Sequence, residues 1–297
     1  MNRVRRGEMP GRSALRALIF DLDGTIADTE EVHRRAFNQA FAEHGLSWEW
    51  SPAEYAGLLS ISGGRERILQ YARQLVPAPF HGARLIELAR RLHSAKSAHY
   101  ARMLADQRVP LRPGVLRLLN EARCSNIRLA IASSTSPANV RAVCDGSLPG
   151  DWADWFDIVA TCDVVEAKKP SPAVYRYVLE HTGWRADECV AIEDTPNGNR
   201  AALGAGLATV ITTHAFTRDG DFEGASLVVD GLGDPDRPFE VVSGDAYGCG
   251  HLDVGLLSRI VSAARACGPG HVTLARSPAP LCGRVASVAG ATSTSTG

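Results

Sequence analysis

The stretch Ala14-Leu-Arg-Ala-Leu-Ile-Phe-Asp-Leu-Asp-Gly24 is a short apolar run that leads directly into two aspartates, Asp21 and Asp23. Short aliphatic runs that end at polar residues are typical of strands buried on both faces of a parallel sheet. Five similar runs follow along the chain, at residues 127–132, 157–160, 189–192, 208–211 and 227–229. Helix-like stretches separate these runs, and the alternation predicts an α/β fold with a doubly wound, mainly parallel sheet.

The rest of the chain divides into segments of different pattern. Between residues 31 and 107, apolar residues follow helical spacing and no strand-like run occurs, which predicts a helical domain inserted after the first strand. The α/β core domain would then consist of residues 14–30 and 108–258. We expect residues 1–13 to form a flexible N-terminal extension. The segment 263–297 loses apolar periodicity and ends in Ser, Thr, Ala and Gly only, which predicts a disordered tail.

The overall composition argues against several classes of protein. A formal net charge of −1 gives no reason to expect binding to nucleic acid or to an anionic membrane surface. No apolar run approaches the roughly 20 residues that a membrane span needs. The seven cysteines contain no Cys-x-x-Cys pair, so neither a disulfide framework nor a zinc site is supported. We expect a cytoplasmic monomer with reduced thiols.

Polar side chains follow the predicted strands, at the edge of the sheet where doubly wound folds bind their ligands. Carboxylates that lie close together repel one another and need a cation, and hard oxygen ligands suit Mg²⁺. Hydroxyls and an ammonium group at the same edge suit a phosphate. The alternative is that each residue is an ordinary loop acid or helix cap. The polar residues at this edge are Asp21, Asp23, Ser133, Ser134, Thr135, Lys168, Lys169, Glu193 and Asp194.

The stretch Asp21-Leu-Asp-Gly-Thr-Ile-Ala-Asp28 resembles the signature of the haloacid dehalogenase superfamily of phosphohydrolases. The other motifs follow in the family's order, with Ser133 after the second strand, Lys169 before Pro170, and the pair Glu193-Asp194 after the fourth strand. The resemblance covers residues 15 to about 256. It implies a Rossmann-like α/β core with a small α-helical cap placed between the first two motifs.

The resemblance also implies the role of each motif residue. Asp21 would attack phosphorus and form an aspartyl phosphate, while Asp23 would act as general acid and then as general base. Ser133 and Lys169 would hold the phosphoryl oxygens, with Lys168 a weaker candidate because the family lysine directly precedes the proline. The implied Mg²⁺ ligands are Asp21, the backbone carbonyl of Asp23, Asp194 and, in or near the coordination shell, Glu193.

More narrowly, the chain resembles the CbbY-type branch, which is related to β-phosphoglucomutase, in Asp28-Thr-Glu30 with His33, in Ser62-Gly-Gly-Arg-Glu-Arg67 and in Ile192-Glu-Asp-Thr-Pro-Asn-Gly198. Gly63 and Gly64 could let the backbone approach a ligand closely, and Arg65 and Arg67 could bind a second phosphate. Glu30 could instead be a first-turn helix acid, His33 a half-buried helix residue, and the arginines a solvated helix face. The expected substrate-binding residues are Asp23, Glu30, His33, Gly63, Gly64, Arg65, Arg67, Lys96, Ser133, Ser134, Thr135 and Lys169.

For the function, this branch implies a Mg²⁺-dependent phosphatase that acts on a sugar phosphate or bisphosphate. The implied reaction converts xylulose 1,5-bisphosphate, an inhibitor of Rubisco, to xylulose 5-phosphate. Two other enzymes use the same aspartate chemistry, a β-phosphoglucomutase-like phosphomutase and a phosphoglycolate-type phosphatase. A non-catalytic sugar-phosphate sensor on the same fold is a further alternative, which the intact Asp21 and Asp23 disfavour.

Overall fold

The computed structural model describes residues 15–75, 80–106 and 108–267. Its single described sheet has the strand order β3-β2-β1-β4-β5-β6-β7, in which β7 alone runs antiparallel to its neighbour. The strands are β1 (Ala17–Phe20), β2 (Arg128–Ala132), β3 (Ile158–Ala160), β4 (Cys189–Glu193), β5 (Ala208–Thr212), β6 (Leu227–Val229) and β7 (Val241–Gly244). The predicted doubly wound, mainly parallel α/β fold is confirmed.

Alternate residues of the central strand β1 belong to two different apolar clusters. Leu18 and Phe20 pack in one cluster, and Ala17 and Ile19 pack in the other, because successive strand residues point to opposite faces. Helices α5, α6 and α9 contribute to the first cluster, and α7 and α8 to the second. These helices are α5 (Val115–Cys124), α6 (Pro137–Ser147), α7 (Ala173–Thr182), α8 (Pro196–Gly204) and α9 (Val254–Cys267). The sheet is therefore covered by helices on both faces.

Four helices lie between β1 and α5, where the sequence predicts a helical insert. They are α1 (Glu30–Glu43), α2 (Pro52–Leu58), α3 (Gly64–Gln74) and α4 (Gly82–Asp106), which we call the cap helices. They enclose an apolar cluster of their own, centred on Phe37, Phe41, Trp50 and Tyr55. This separate cluster fits a cap domain, whose limits at residues 31 and 107 stay a prediction.

The two chain crossings between the sheet and the cap helices run side by side. The backbone N–H of Asp28 donates to the carbonyl of Pro110 at 3.2 Å, and that of Arg112 donates to the carbonyl of Ile26 at 2.9 Å. Ala27 and Leu111 form an antiparallel bridge between these two hydrogen bonds. The crossings therefore hold one another next to the loop that carries Asp21 and Asp23.

Two features at the edges of the fold differ from the prediction. Strand β7 has no counterpart among the predicted strands because all four of its residues are exposed, so it lacks a buried aliphatic run. The predicted disordered tail 263–297 is wrong at its start, because helix α9 continues to Cys267. Alanine is a strong helix former even without an apolar stripe, and Arg265 pairs with Asp187 at 3.1 Å. The rest of that tail and the predicted N-terminal extension lie outside the described residues.

None of the helices within residues 15–75, 80–106 and 108–267 combines the length and the apolar character that crossing a membrane requires.

Candidate active site

Asp21 directly follows β1 and lies at the centre of a buried group of charges. The Lys169 ammonium donates to Asp21 Oδ1 and to Glu193 Oε1, both at 2.5 Å, and to the carbonyl of Ala132 at 2.8 Å. All three charged side chains are buried. Because β1 and β4 are neighbours in the sheet, their carboxyl ends bring Asp21 and Glu193 together, and Lys169 reaches both from the segment between β3 and α7. The structure thus joins two of the predicted motifs through one lysine.

The electrostatics of this group favour a further cation. Burial raises the pKa of Asp21 well above its ordinary value and also raises that of Glu193, although the Lys169 ammonium opposes both shifts. Burial alone would lower the pKa of Lys169, but the two carboxylates outweigh it and raise that pKa. One ammonium therefore serves two carboxylates, and an added cation would favour their ionised form.

Three of the predicted metal ligands have the geometry of a cation site. Carboxylate oxygens of Asp21, Glu193 and Asp194 all lie within 4.8 Å of one another, and the three residues are buried. The donor set consists of hard oxygen atoms, as Mg²⁺ prefers, with no thiol among the three. The residues present therefore fit Mg²⁺, with Asp21, Glu193 and Asp194 as the side chains that would hold it.

Asp23 lies two residues further along, on the side of the loop that faces the cap helices. Its Oδ1 accepts hydrogen bonds from Thr29 Oγ1 at 2.7 Å and Tyr100 Oη at 3.3 Å, and lies 3.2 Å from His33 Nε2. Burial disfavours the charged carboxylate, but the contacts with His33 and Thr29 outweigh it and lower the pKa of Asp23 to about 2. Asp23 is therefore ionised in the free protein at neutral pH.

His33 is held between Asp23 and Lys96. The Lys96 ammonium lies 2.6 Å from His33 Nδ1, and burial lowers the pKa of Lys96 to about 8. Burial and the nearby Lys96 charge also lower the pKa of His33. A neutral ring that accepts at Nδ1 carries its proton on Nε2, which then donates to Asp23. The ring also stacks on Tyr100 with centroids 4.0 Å apart.

The predicted residues that carry hydroxyl groups follow β2. Ser133 is buried at the strand end, and its Oγ accepts a hydrogen bond from the backbone N–H of Thr135 at 3.3 Å. Thr135 Oγ1 accepts from the side-chain amide of Asn139 at 3.0 Å. Ser136 caps helix α6 by accepting from the backbone N–H of Asn139. These contacts place Ser133, Ser134 and Thr135 where the helix begins, which suits an anion.

Glu30 and Arg67 meet at a buried tyrosine that the sequence analysis does not identify. Tyr55 Oη donates to Glu30 Oε2 at 2.7 Å, and Arg67 Nη1 donates to Tyr55 Oη at 3.3 Å. Arg67 Nε donates to the carbonyl of Ile61 at 2.8 Å, so the guanidinium is held in place. Gly63 has a φ of 97°, which favours glycine, and directly precedes the helix that carries Arg67.

A cavity of about 230 Å³ separates the strand ends from the cap helices. Most of the predicted site residues line it. They are Asp21, Asp23, Glu30, His33, Gly63, Gly64, Arg67, Lys96, Ser133, Ser134, Thr135, Lys169 and Asp194. Two others lie apart: Glu193 is fully buried beneath Lys169, and Arg65 is exposed and pairs with Glu66 at 3.1 Å. Among the described residues, Arg65 is therefore the predicted substrate contact that does not reach the cavity.

Several residues at the site are not among those predicted from the sequence. Asn197 and His93 line the cavity, and burial lowers the pKa of His93 to about 4. His214 contacts Asp194, with Nε2 and Oδ2 2.9 Å apart. The sequence Asp194-Thr-Pro-Asn197 sits in a motif and could have indicated Asn197, whereas no motif marks the two histidines.

Arg112 is a buried cation that holds three segments of the site together. Its guanidinium donates to four backbone carbonyls, those of Gly24, Thr212, Thr213 and Asp230, at 2.5, 2.9, 2.6 and 3.2 Å respectively. Gly24 belongs to the loop after β1, and Thr213 belongs to the loop after β5. Arg112 therefore connects the aspartate loop after β1 to the ends of β5 and β6.

Comparisons with known proteins bear on the family to which the chain belongs. The family model of haloacid dehalogenase-like hydrolases matches residues 15–206. Protein CbbY (plasmid) of Cupriavidus necator is 45% identical over 224 residues, which is 75% of this chain and 88% of that protein. A crystal structure of a CbbY mutant from Rhodobacter sphaeroides in complex with xylulose-(1,5)-bisphosphate is 40% identical, with a TM-score of 0.66, and covers 73% of this chain and 94% of that one.

A more distant likeness concerns the fold alone. The crystal structure of β-phosphoglucomutase from Clostridium difficile is 21% identical, with a TM-score of 0.63, and covers 85% of this chain and 99% of that one. The matches together confirm the predicted resemblance and the predicted enzyme class, a phosphoric monoester hydrolase. Because the family model spans more than half of the chain, the protein belongs to the haloacid dehalogenase-like hydrolases.

Proposed function

We propose that this hydrolase is a Mg²⁺-dependent sugar-phosphate phosphatase whose substrate is xylulose 1,5-bisphosphate and whose product is xylulose 5-phosphate. One observation carries the proposal: Asp21 and Lys169 of the buried Asp21–Lys169–Glu193 group line the same small cavity as Asp23 and the cap residue Arg67. A nucleophile, an acid/base group and a remote cation thus surround one space. The complex of the related CbbY mutant with xylulose bisphosphate supports the same substrate class.

In this mechanism Asp21 attacks phosphorus, the bond from phosphorus to the sugar oxygen breaks, and an aspartyl phosphate forms. Ser133 and Lys169 hold the phosphoryl oxygens. Bound Mg²⁺ would supply positive charge that stabilises the transferring phosphoryl group. Lys169 pairs with Asp21 in the free protein, so substrate binding would exchange part of that contact for a contact with phosphate.

Asp23 would deliver a proton to the leaving sugar oxygen and then take one from the water that hydrolyses the intermediate. Its low pKa means that the free enzyme holds it as the base form. The negative charge of an incoming phosphate would raise that pKa and favour the protonated form. The neutral His33, supported by Lys96, donates to Asp23 Oδ1 and keeps the carboxyl group in one orientation.

The second phosphate would bind at the cap. Arg67 uses Nε for Ile61 and Nη1 for Tyr55, which leaves further N–H donors on the guanidinium for a phosphate. Lys96 also faces the cavity and adds positive charge there. A phosphate at this remote end would help to align the reacting phosphate at Asp21. We further propose that the enzyme acts as a monomer.

The test is phosphate release from four substrates measured side by side with excess Mg²⁺. We expect xylulose 1,5-bisphosphate to give the highest kcat/KM, ahead of ribulose 1,5-bisphosphate, phosphoglycolate and β-glucose 1-phosphate. A clear preference for phosphoglycolate would indicate a phosphoglycolate phosphatase. Conversion of β-glucose 1-phosphate to glucose 6-phosphate without phosphate release would indicate a phosphomutase. Either result would overturn the proposed substrate.

A further inference from the structure

The loop that follows β5 carries a histidine into the group of buried carboxylates. His214 Nε2 lies 2.9 Å from Asp194 Oδ2, and the Asp194 side chain is almost fully buried. The other oxygen of the same carboxylate, Oδ1, lies 3.4 Å from the hydroxyl of Thr25. Both oxygens of Asp194 therefore have polar neighbours that come from two different loops.

The contacts of the imidazole define which nitrogen carries the proton. The backbone N–H of Phe216 donates to His214 Nδ1 at 3.3 Å, so Nδ1 is an acceptor. A neutral ring that accepts at Nδ1 bears its hydrogen on Nε2, and that hydrogen points to Asp194 Oδ2. The histidine thus acts as a hydrogen-bond donor to the carboxylate, without needing a positive charge.

Neighbouring residues fix the ring in this position. The backbone N–H of His214 donates to Thr217 Oγ1 at 3.2 Å, which closes the loop. The ring of Phe216 lies at right angles to Tyr55 of the cap, with centroids 5.6 Å apart, and close to His214. Gly24 leaves the space that the ring occupies, because a Cβ there would overlap both His214 Nε2 and Asp194 Oδ2.

We propose that His214 is a positioning residue that orients Asp194 for divalent-cation binding through a hydrogen bond from Nε2–H to Oδ2. A donor of this kind restricts rotation of a carboxylate ligand, and the loss of such an outer partner typically weakens metal affinity by about 10–100-fold. This inference rests on the proposed function, in which Asp194 helps to hold Mg²⁺.

The test is a calorimetric titration of the full chain with MgCl₂ in the absence of any substrate. His214→Met and His214→Gln introduce side chains of similar length, of which Gln alone retains an N–H donor. We expect His214→Met to weaken Mg²⁺ binding about tenfold, and His214→Gln to stay within about threefold of the wild type. His99→Met serves as a control, because His99 pairs with Glu43 on the cap helices and not with a predicted metal ligand.

Equal Mg²⁺ affinity of the wild type and the Met variant would overturn the inference while leaving the proposed function intact. An equal loss of Mg²⁺ affinity in the Met and Gln variants would also overturn it, because the N–H donor at position 214 would then have no effect on binding. If the wild type bound no Mg²⁺, the magnesium part of the proposed function and this inference would both fail.

If thermal denaturation shows that His214→Met is unfolded, Thr217→Val provides an independent variant. It removes the hydroxyl that accepts from the His214 backbone and leaves the imidazole itself unchanged. We expect a loss of Mg²⁺ affinity of about threefold, smaller than a full loss of the donor. An affinity equal to that of the wild type would contradict the positioning role.

Discussion

The two sides of the cavity are built in different ways. On the sheet side, Asp21, Ser133 and Glu193 lie at or directly after the ends of adjacent buried strands, so the backbone of the sheet sets their positions. On the cap side, Arg67 and Lys96 come from two helices and are held by contacts with the side chains of Tyr55 and His33 and with one backbone carbonyl. The sheet side suits chemistry that tolerates little displacement, and the cap side suits recognition of a variable substrate.

This difference predicts that the largest effects come from the sheet side. Asp21→Asn should lower kcat by at least about 10³-fold, because it removes the nucleophile while the side chain keeps nearly the same shape. Lys169 would still pair with Glu193, so the fold should persist. Steady-state kinetics and thermal denaturation check the two parts separately. Residual activity above about one per cent of the wild type would exclude the covalent mechanism.

Removal of divalent cations should have an effect of similar size. A chelator is expected to abolish phosphate release, and MgCl₂ in excess of the chelator should restore it, because three carboxylates are grouped here and the Lys169 ammonium contacts two of them, Asp21 and Glu193. Asp194→Ala should raise the Mg²⁺ concentration needed for half-maximal rate by removing a ligand. Undiminished turnover in the chelator would contradict the role of the metal.

On the cap side, Arg67 and Arg65 form a matched pair. Arg67→Ala should lower kcat/KM for the bisphosphate by about 10–100-fold and affect a monophosphate less, because a charge-assisted contact is worth about 1.5–3 kcal/mol. Arg65→Ala should change neither value by more than about twofold, since Arg65 is exposed and pairs with Glu66 in a weak surface ion pair. Equal losses of kcat/KM in the two variants would show that facing the cavity does not distinguish Arg67 from Arg65.

The sequence pattern anticipated the sheet side better than the cap side for a physical reason. Buried parallel strands require aliphatic runs, so their ends, and with them Asp21 and Glu193, can be located from the sequence alone. On a helix, residues two positions apart lie about 200° apart around the axis, so Arg65 and Arg67 could not both face the cavity. Helical spacing therefore shows that only one of the two arginines can face the cavity, but which one does depends on how α3 packs in the folded protein.

Contacts between distant loops were outside the reach of the sequence. His214 lies 20 residues beyond Asp194, on the far side of a helix and a strand, and no motif connects them. Arg112 binds four carbonyls from different segments, and backbone acceptors leave no mark on residue choice. Strand β7 was missed because its residues are exposed. Each omission concerns a feature that is defined by the folded geometry and not by local hydrophobicity.

A small effect is also expected at Lys168, the direct neighbour of Lys169. Lys168 is exposed and lies 3.7 Å from Glu66, where it links the sheet side to the cap. Exposed ion pairs typically contribute at most about 1 kcal/mol, so Lys168→Met should change kcat/KM by less than about fivefold. Lys169→Met should instead reduce kcat by several orders of magnitude, because it leaves Asp21 and Glu193 buried without a cation. Kinetic assays of both variants, with thermal denaturation as the control for folding, compare the role of the buried lysine with that of the exposed one. If Lys168→Met proved as damaging as Lys169→Met, the cap contact with Glu66 would be needed for catalysis, and the division between a chemical side and a recognition side would be wrong.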